Sequence, residues 1–277
     1  MSILKNTIHY NSITFFVMLS ALLALPAVMC TQANSQNADK KLSITIVYDN
    51  TTTDSLLKAD WGFSAYIIYG SDTLLFDSGA KGAILLANLR KLNINIKSIA
   101  TVVLSHKHYD HVDGMDSLLA AGIHPKLYFL ASFPDSIKNR YRGKVAIVEV
   151  IDTLQIFPGL YTTGELASSI APEEALVFTF KRGGAVLTGC AHPGIVEIVK
   201  KSQAITKINA TPILVGGFHL FKSDIATING IIQSLQALHI QKIVPVHCTG
   251  DTAIALFKKA YGNEYQKGGV GAHISVF

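Results

Sequence analysis

The chain has 277 residues, 49% of them hydrophobic and 16% charged, with three cysteines and a formal net charge of +5. That length buries a large core, in one big domain or two small ones, and a modest charge not gathered into basic runs gives no support for nucleic-acid binding. Outside the N-terminal region only Cys190 and Cys248 remain. One pair is no disulfide framework, and both cysteines lie close to histidines, which points to a site rather than a staple. The modest, scattered charge makes a small-molecule or envelope role the more natural.

Residues 1–33 stand apart: Lys5 is the only charged residue before an apolar run at 13–29, and a polar stretch follows. This is the pattern of a secretory signal, which places the protein in the periplasm or cell envelope of a bacterium. Two alternatives stay open. The run is at the short end of what spans a bilayer as an uncleaved anchor, and Cys30 is placed to carry a lipid that attaches the chain to the membrane. Residues 34–41 read as a polar linker and 42–277 as one domain.

The domain opens with a strand over 43–48. Residues 63–69 and 73–76 read as a hairpin about Gly70-Ser71-Asp72, and 82–92 carry Ile84, Leu85, Leu89 and Leu92 on a helical repeat. A buried strand at 99–104 leads into Ser105-His106-Lys107-His108-Tyr109-Asp110-His111, and 115–121 read as a helix stopped by Gly122. Short strands are expected at 126–130, 145–150, 153–157, 175–180 and 185–188. From His192 onward the expectation alternates: helix 194–205, strand 212–215, helix 223–238, strand 242–246, helix 251–261 and a last strand near 272–277. Two β-rich layers with helices packed outside them form a single α/β (α+β) domain.

Residues two apart on a nearly extended backbone face the same way, so His106 and His108 converge on one ion while Lys107 faces elsewhere. Asp110 and His111, as the chain turns, reach a second ion beside it. Imidazole suits zinc, iron or manganese, and a carboxylate adds a hard oxygen ligand. The cofactor expected is therefore two divalent metal ions, zinc foremost.

Further residues of catalytic type stand where predicted strands end, the edge at which layered α/β folds collect ligands. His192 and His247, each followed shortly by a glycine and a helix, complete the two metal shells. Cys190 either bridges the ions as a thiolate or packs as a small hydrophobe. His219, after Gly216-Gly217, takes a ligand or substrate-contacting role, and Asp77 is read as holding a metal-bound histidine in its tautomer. Asp49, Asn50, Trp61 and Ser64 are placed at the mouth of the site, while His124, His239 and His273 are given ordinary structural roles.

The pattern His-x-His-x-Asp-His after a strand resembles the metal motif of the metallo-β-lactamase superfamily. Trp61-Gly62-Phe63-Ser64, Leu75 to Gly79, Thr188 to Val196, Gly216 to Leu220 and His247 to Gly250 extend the resemblance to one branch. That branch comprises the 7,8-dihydropterin-6-methyl-4-(β-D-ribofuranosyl)aminobenzene-5′-phosphate synthase-like metal-dependent hydrolases. The resemblance spans about residues 43–275 and implies a four-layer αββα sandwich with its metal site at one edge of the paired sheets. It implies His106, His108 and His192 around one ion, and Asp110, His111 and His247 around the other. Cys190 follows Gly189 where the superfamily often has a bridging aspartate. Trp61 stands where relatives often carry histidine, and Val112-Asp113-Gly114 replaces the usual Thr-Gly-Gly.

The activity this implies is hydrolysis of an ester or phosphoester-type small molecule by a metal-bound hydroxide, with Asp110 orienting the nucleophile and His219 at the reacting end. A synthase-like transferase with a diphosphate leaving group and a non-catalytic metal-holding sensor are the competing expectations. Nothing in the sequence reads a β-lactam specifically.

Overall fold

The computed structural model describes residues 40–181 and 183–276. The expected signal at 1–33, Cys30 with it, and all but the last two residues of the expected linker lie outside the described residues.

In chain order the elements are β1 (Leu42–Tyr48), β2 (Ser64–Tyr69), β3 (Asp72–Phe76), α1 (Gly82–Lys91), β4 (Thr101–Leu104), α2 (Tyr109–Val112) and α3 (Met115–Ala120). Then come β5 (Lys126–Leu130), α4 (Asp135–Tyr141), β6 (Ile147–Val150), β7 (Leu154–Phe157), β8 (Leu160–Thr162), β9 (Leu176–Phe180) and β10 (Gly183–Thr188). The last third holds α5 (Ile195–Thr206), β11 (Thr211–Gly217), α6 (Ile225–Ala237), β12 (Ile240–Val246), α7 (Asp251–Tyr261) and β13 (His273–Val276).

The strands form two sheets, one ordered β13-β1-β2-β3-β4-β5-β6 and the other β12-β11-β10-β9-β8-β7. Both are mixed: antiparallel hairpins join β1 to β3 and β7 to β10, and parallel pairing through helical crossovers extends each sheet from there. The alternation of side chains across a strand decides which face packs where. On β11, Ile213 and Val215 enter the core between the sheets, while Leu214 faces the outer cluster built from α5, α6 and α7. On β10, Ala185 and Leu187 point inward and Val186 outward. The result is the αββα sandwich, with Leu85, Leu89, Met115 and Leu118 of α1 and α3 buried against the first sheet.

Three short elements were not anticipated. Helix α4 starts behind Pro134 and buries only Lys138 and Tyr141, too little to write an apolar repeat. Strand β8 has three residues. Helix α2 is a single turn inside the histidine-rich loop; after a bend at His106 and Lys107 and an extended His108, it turns the chain so that Asp110 and His111 follow His106 and His108 into one space.

Candidate metal centre

Strands β1, β3 and β4 of the first sheet end at one edge, and β10, β11 and β12 of the second end opposite them. Their carboxyl-terminal loops carry Asp49 and Asn50, Asp77, His106 to His111, Cys190 and His192, His219, and His247. Four non-glycine residues in these loops, Asp77, Ala191, His219 and His247, have φ between 48° and 60°. That left-handed backbone costs a residue with a Cβ about 1–3 kcal/mol, a strain that persists where packing over-determines it. Gly189 lets the end of β10 approach Ser105 after β4: a Cβ there would stand 2.2 Å from Ser105 Oγ.

Two triads of potential donor atoms result, His106 with His108 and His192, and Asp110 with His111 and His247, each within 4.8 Å. Cys190 Sγ joins them, 3.3 Å from His111 Nε2 and within 4.8 Å of a His106 ring nitrogen. His106 and His111 are completely buried, and His247 nearly so.

The outward ring nitrogens are held in turn. His111 Nδ1 lies 2.7 Å from Asp77 Oδ2, and Asp77 also accepts from the Ser105 amide at 2.7 Å and the Ser105 hydroxyl at 2.8 Å. With its hydrogen given to Asp77, Ser105 Oγ accepts from His106 Nδ1 at 2.9 Å. His247 Nδ1 lies 3.0 Å from Asn50 Oδ1, which the Gly62 amide, 3.1 Å away, marks as the acceptor end of that side chain. Glu173 Oε2 stands 2.9 Å from His192 Nδ1, an ion-pair contact without hydrogen-bond alignment.

Such fixing of Nδ1 leaves Nε2 as a bare lone pair. His111 Nε2 and His247 Nε2 then face each other as two acceptors at 3.2 Å, with Asp110 Oδ2 at 3.6 Å and 3.4 Å from them. Acceptors do not converge without a positive charge between them, and nitrogens bound tetrahedrally to a zinc ion stand about 3.3 Å apart. His106 Nε2 and His108 Nδ1 are 3.0 Å apart in the first triad. The donor set fits divalent cations.

Burial would raise Asp110, but the His247 and His111 side chains pull its carboxyl down to about 2. Burial likewise opposes a charge on His247, yet Asp110 beside it lifts that imidazole above its ordinary value. Burial, together with the neighbouring histidines, holds His106 well below the usual histidine range. Ionised Asp110 and neutral His106 are in the protonation states that ligands need, whereas His247 gives up the proton that Asp110 favours when a cation takes its place.

A chamber of about 290 Å³ opens onto the cluster, lined by Trp61, Asp110, Cys190, His192, His219 and His247 among others. His219 stacks at a tilt over His192, centroids 4.5 Å apart. Ser64 is not at the mouth: it is fully buried at the start of β2, and its hydroxyl donates to the Asp77 carbonyl at 2.8 Å. The hairpin turns that position inward, so the substrate role expected for it is corrected to a bracing one.

Sequence reasoning missed Glu173. Its carboxylate is fully buried and accepts from the backbone amides of Gly189, Cys190 and Ala191 with Oε1 and of His192 with Oε2, at 2.8–3.1 Å. Burial would raise its pKa; His192 and these amides lower it instead. The signal was Glu173-Glu174 directly before an apolar strand, two acids where a buried run begins.

Residues 61–199 match the family model of the metallo-beta-lactamase superfamily. The chain is 28% identical over 239 residues to 7,8-dihydropterin-6-methyl-4-(beta-D-ribofuranosyl)-aminobenzene-5′-phosphate synthase of Methanocaldococcus jannaschii, covering 70% of this chain and 81% of that one. An uncharacterized protein of the same organism is 29% identical over 266 residues, covering 84% and 100%. Among solved structures, Tm1679, a metal-dependent hydrolase of the beta-lactamase superfamily, superposes with a TM-score of 0.71 at 24% identity, over 85% of this chain and 99% of that one.

Proposed function

The chain belongs to the metallo-beta-lactamase superfamily, and from that premise we propose that it is a metal-dependent hydrolase of an ester or phosphoester-type small molecule. The observation that supports this most directly is the pair of acceptor nitrogens, His111 Nε2 and His247 Nε2, turned toward each other beside Asp110.

In this reading His106, His108 and His192 hold one divalent ion, Asp110, His111 and His247 hold the other, and Cys190 lies between the two sets. Asp77, Asn50 and Glu173 orient the rings by their Nδ1 atoms. Ions bound there supply Lewis acidity toward the electrophilic oxygen and acidify water to a pKa of about 7. Asp110, ionised at neutral pH, accepts a proton of the attacking water and aims its lone pair at the substrate. His219, on the chamber wall beside His192, gives a proton to the departing oxygen. Trp61 contacts the substrate at the mouth.

The apolar run at 13–29 supports export to a bacterial envelope, with Cys30 as a membrane attachment point.

A screen of activated esters and phosphoesters, paired with elemental analysis of the same sample, tests the proposal. About two ions per chain with turnover that His106→Ala and Asp110→Ala each reduce by about a thousandfold or more is the expected result. Undiminished turnover in either variant would sink the mechanism. The relationship to a named synthase favours one second reading, a transferase whose ions bind a diphosphate leaving group. Product formed from a pterin and a phosphoribosyl-type donor, with no hydrolysis in the screen, decides for it.

A further inference from the structure

Exposed aromatic rings are costly to leave in water, and a cluster of them beside a catalytic chamber has a use. Among the described residues the exposed large apolar side chains include three aromatic ones, Trp61, Tyr109 and Phe221, at 44%, 60% and 44% exposure. All three line the chamber over the histidine cluster.

Trp61 and Phe221 meet edge to face, centroids 6.3 Å apart and planes at 77°. Each leans on a histidine of the site: Trp61 on His247 at 5.1 Å, and Phe221 on His219 at 5.3 Å. Two walls at nearly a right angle form a corner, and a flat ring lying against one wall presents its edge to the other. Those are the two arrangements that aromatic pairs favour. Lys222 Nζ, 5.3 Å from the centroid of Phe221, sets a positive charge at the same rim.

The corner is held in place by the backbone. The Gly62 amide donates to Asn50 and the Phe63 amide donates to the Asp110 carbonyl at 3.2 Å, which ties the Trp61 loop to the metal loop. At Gly250 a Cβ would stand 2.6 Å from Phe221 Cα, so only glycine lets the Phe221 segment close over the His247 turn. Behind the corner a second cavity of about 710 Å³ also touches Trp61, Phe221 and His247 and continues past Thr51, Thr252 and Lys267. A ligand that fills both spaces passes the corner midway.

We propose that Trp61 and Phe221 form a specificity subsite for a planar aromatic or heteroaromatic ring, carried by a substrate whose acidic or ester end reaches the histidine cluster. The inference rests on the hydrolase reading only for that reacting end. Phe221 is thereby a specificity-determining residue, with Trp61 as the wall the ring stacks on.

Trp61 is the only tryptophan in the chain, so its emission reports directly on the corner. The full chain, loaded with zinc, is titrated with phenylphosphonate and with methylphosphonate, neither of which can be hydrolysed at its C–P bond as an ester would be; calorimetry gives both affinities. The expected result is a change in Trp61 emission with phenylphosphonate and binding at least about tenfold tighter than methylphosphonate. Phe221→Ala removes most of that preference and leaves the methylphosphonate affinity within about twofold, which shows that the metal end is intact. Equal affinities, no binding of either probe, or a preference undiminished in Phe221→Ala overturns the subsite. Turnover of simple alkyl esters without an aryl preference overturns it while sparing the hydrolase; an aryl preference without any turnover overturns the hydrolase and spares the subsite.

Discussion

His111 and His247 reach the same point from opposite sheets, Nε2 to Nε2 at 3.2 Å, each with its other nitrogen committed outward, to Asp77 and to Asn50. Stripped of cations, that arrangement leaves buried acceptors facing one another. Chelation is therefore expected to lower the melting temperature of the protein, and re-addition of zinc to restore it. For an ion present at about a thousand times its dissociation constant the loss is about 4 kcal/mol, on the order of 10 °C. Scanning calorimetry with and without chelator checks this; an unchanged transition would mean that no cation holds the rings.

Glu173→Gln separates positioning from ligation. The new amide nitrogen would face either His192 or a backbone amide, a donor against a donor, while the ring nitrogens and carboxylate of both triads stay in place. Metal affinity is expected to fall by about 10–100-fold, with about 3 kcal/mol lost in stability. Competition titration against a chromophoric chelator measures the first. An affinity equal to that of the parent protein would show that His192 needs no such partner.

Cys190 invites a spectroscopic test. Its thiol lies 3.3 Å from His111 Nε2, and burial pushes it up, so only a directly bound metal would hold it as thiolate. The cobalt-substituted protein is expected to show a thiolate-to-cobalt charge-transfer band that Cys190→Ser abolishes. A band that survives the substitution assigns the thiolate to another residue, and its absence from the parent protein makes Cys190 a packing residue.

Glu174 carries a pH dependence of its own. It is fully buried, it accepts from the Thr162 hydroxyl, and its Oε1 has no partner among the described residues. Burial, aided by nearby Asp77, raises its carboxyl to about 8. The folded chain keeps this proton up to that value whereas the unfolded chain releases it above about 4.3. Its contribution is therefore complete below the unfolded value and is lost as pH rises through 8. Glu174→Gln is expected to stabilise the protein at pH 7 by roughly 4 kcal/mol, since each pH unit between about 4.3 and 7 costs about 1.4 kcal/mol. Melting curves from pH 5 to 8 check it; parallel curves for parent and variant would show that Glu174 does not titrate on unfolding.

The metal loop was legible because its chemistry is local: three imidazoles and a carboxylate in six residues after an apolar strand, whose geometry needs no distant partner. His192 and His247 were legible as strand-end histidines, because parallel strands deliver their carboxyl ends to one edge whatever the tertiary detail. Glu173 and the detailed role of Asn50 were not. Glu173 acts on amides 16–19 residues away and Asn50 on a histidine 197 residues away, and no spacing rule reaches that far. Ser64, expected at the mouth beside Trp61, is turned inward because the pairing of β2 with β3 puts it against Asp77. Of the exposed aromatic corner, Trp61 is expected at the mouth from the sequence, but Phe221 is not, because it looks like core until the fold leaves it uncovered.

The clasp of Glu173 on four successive backbone amides has a consequence for how anions are received. A run of amides turned to one point is a nest, the kind of concavity that elsewhere cradles phosphate. Here the chain fills that nest with its own carboxylate, so the loop from Gly189 to His192 has no amide to spare for a substrate oxyanion. Negative charge arriving in the chamber must be met by cations alone. Inhibition by inorganic phosphate should accordingly rise and fall with metal occupancy, as if the two were one titration.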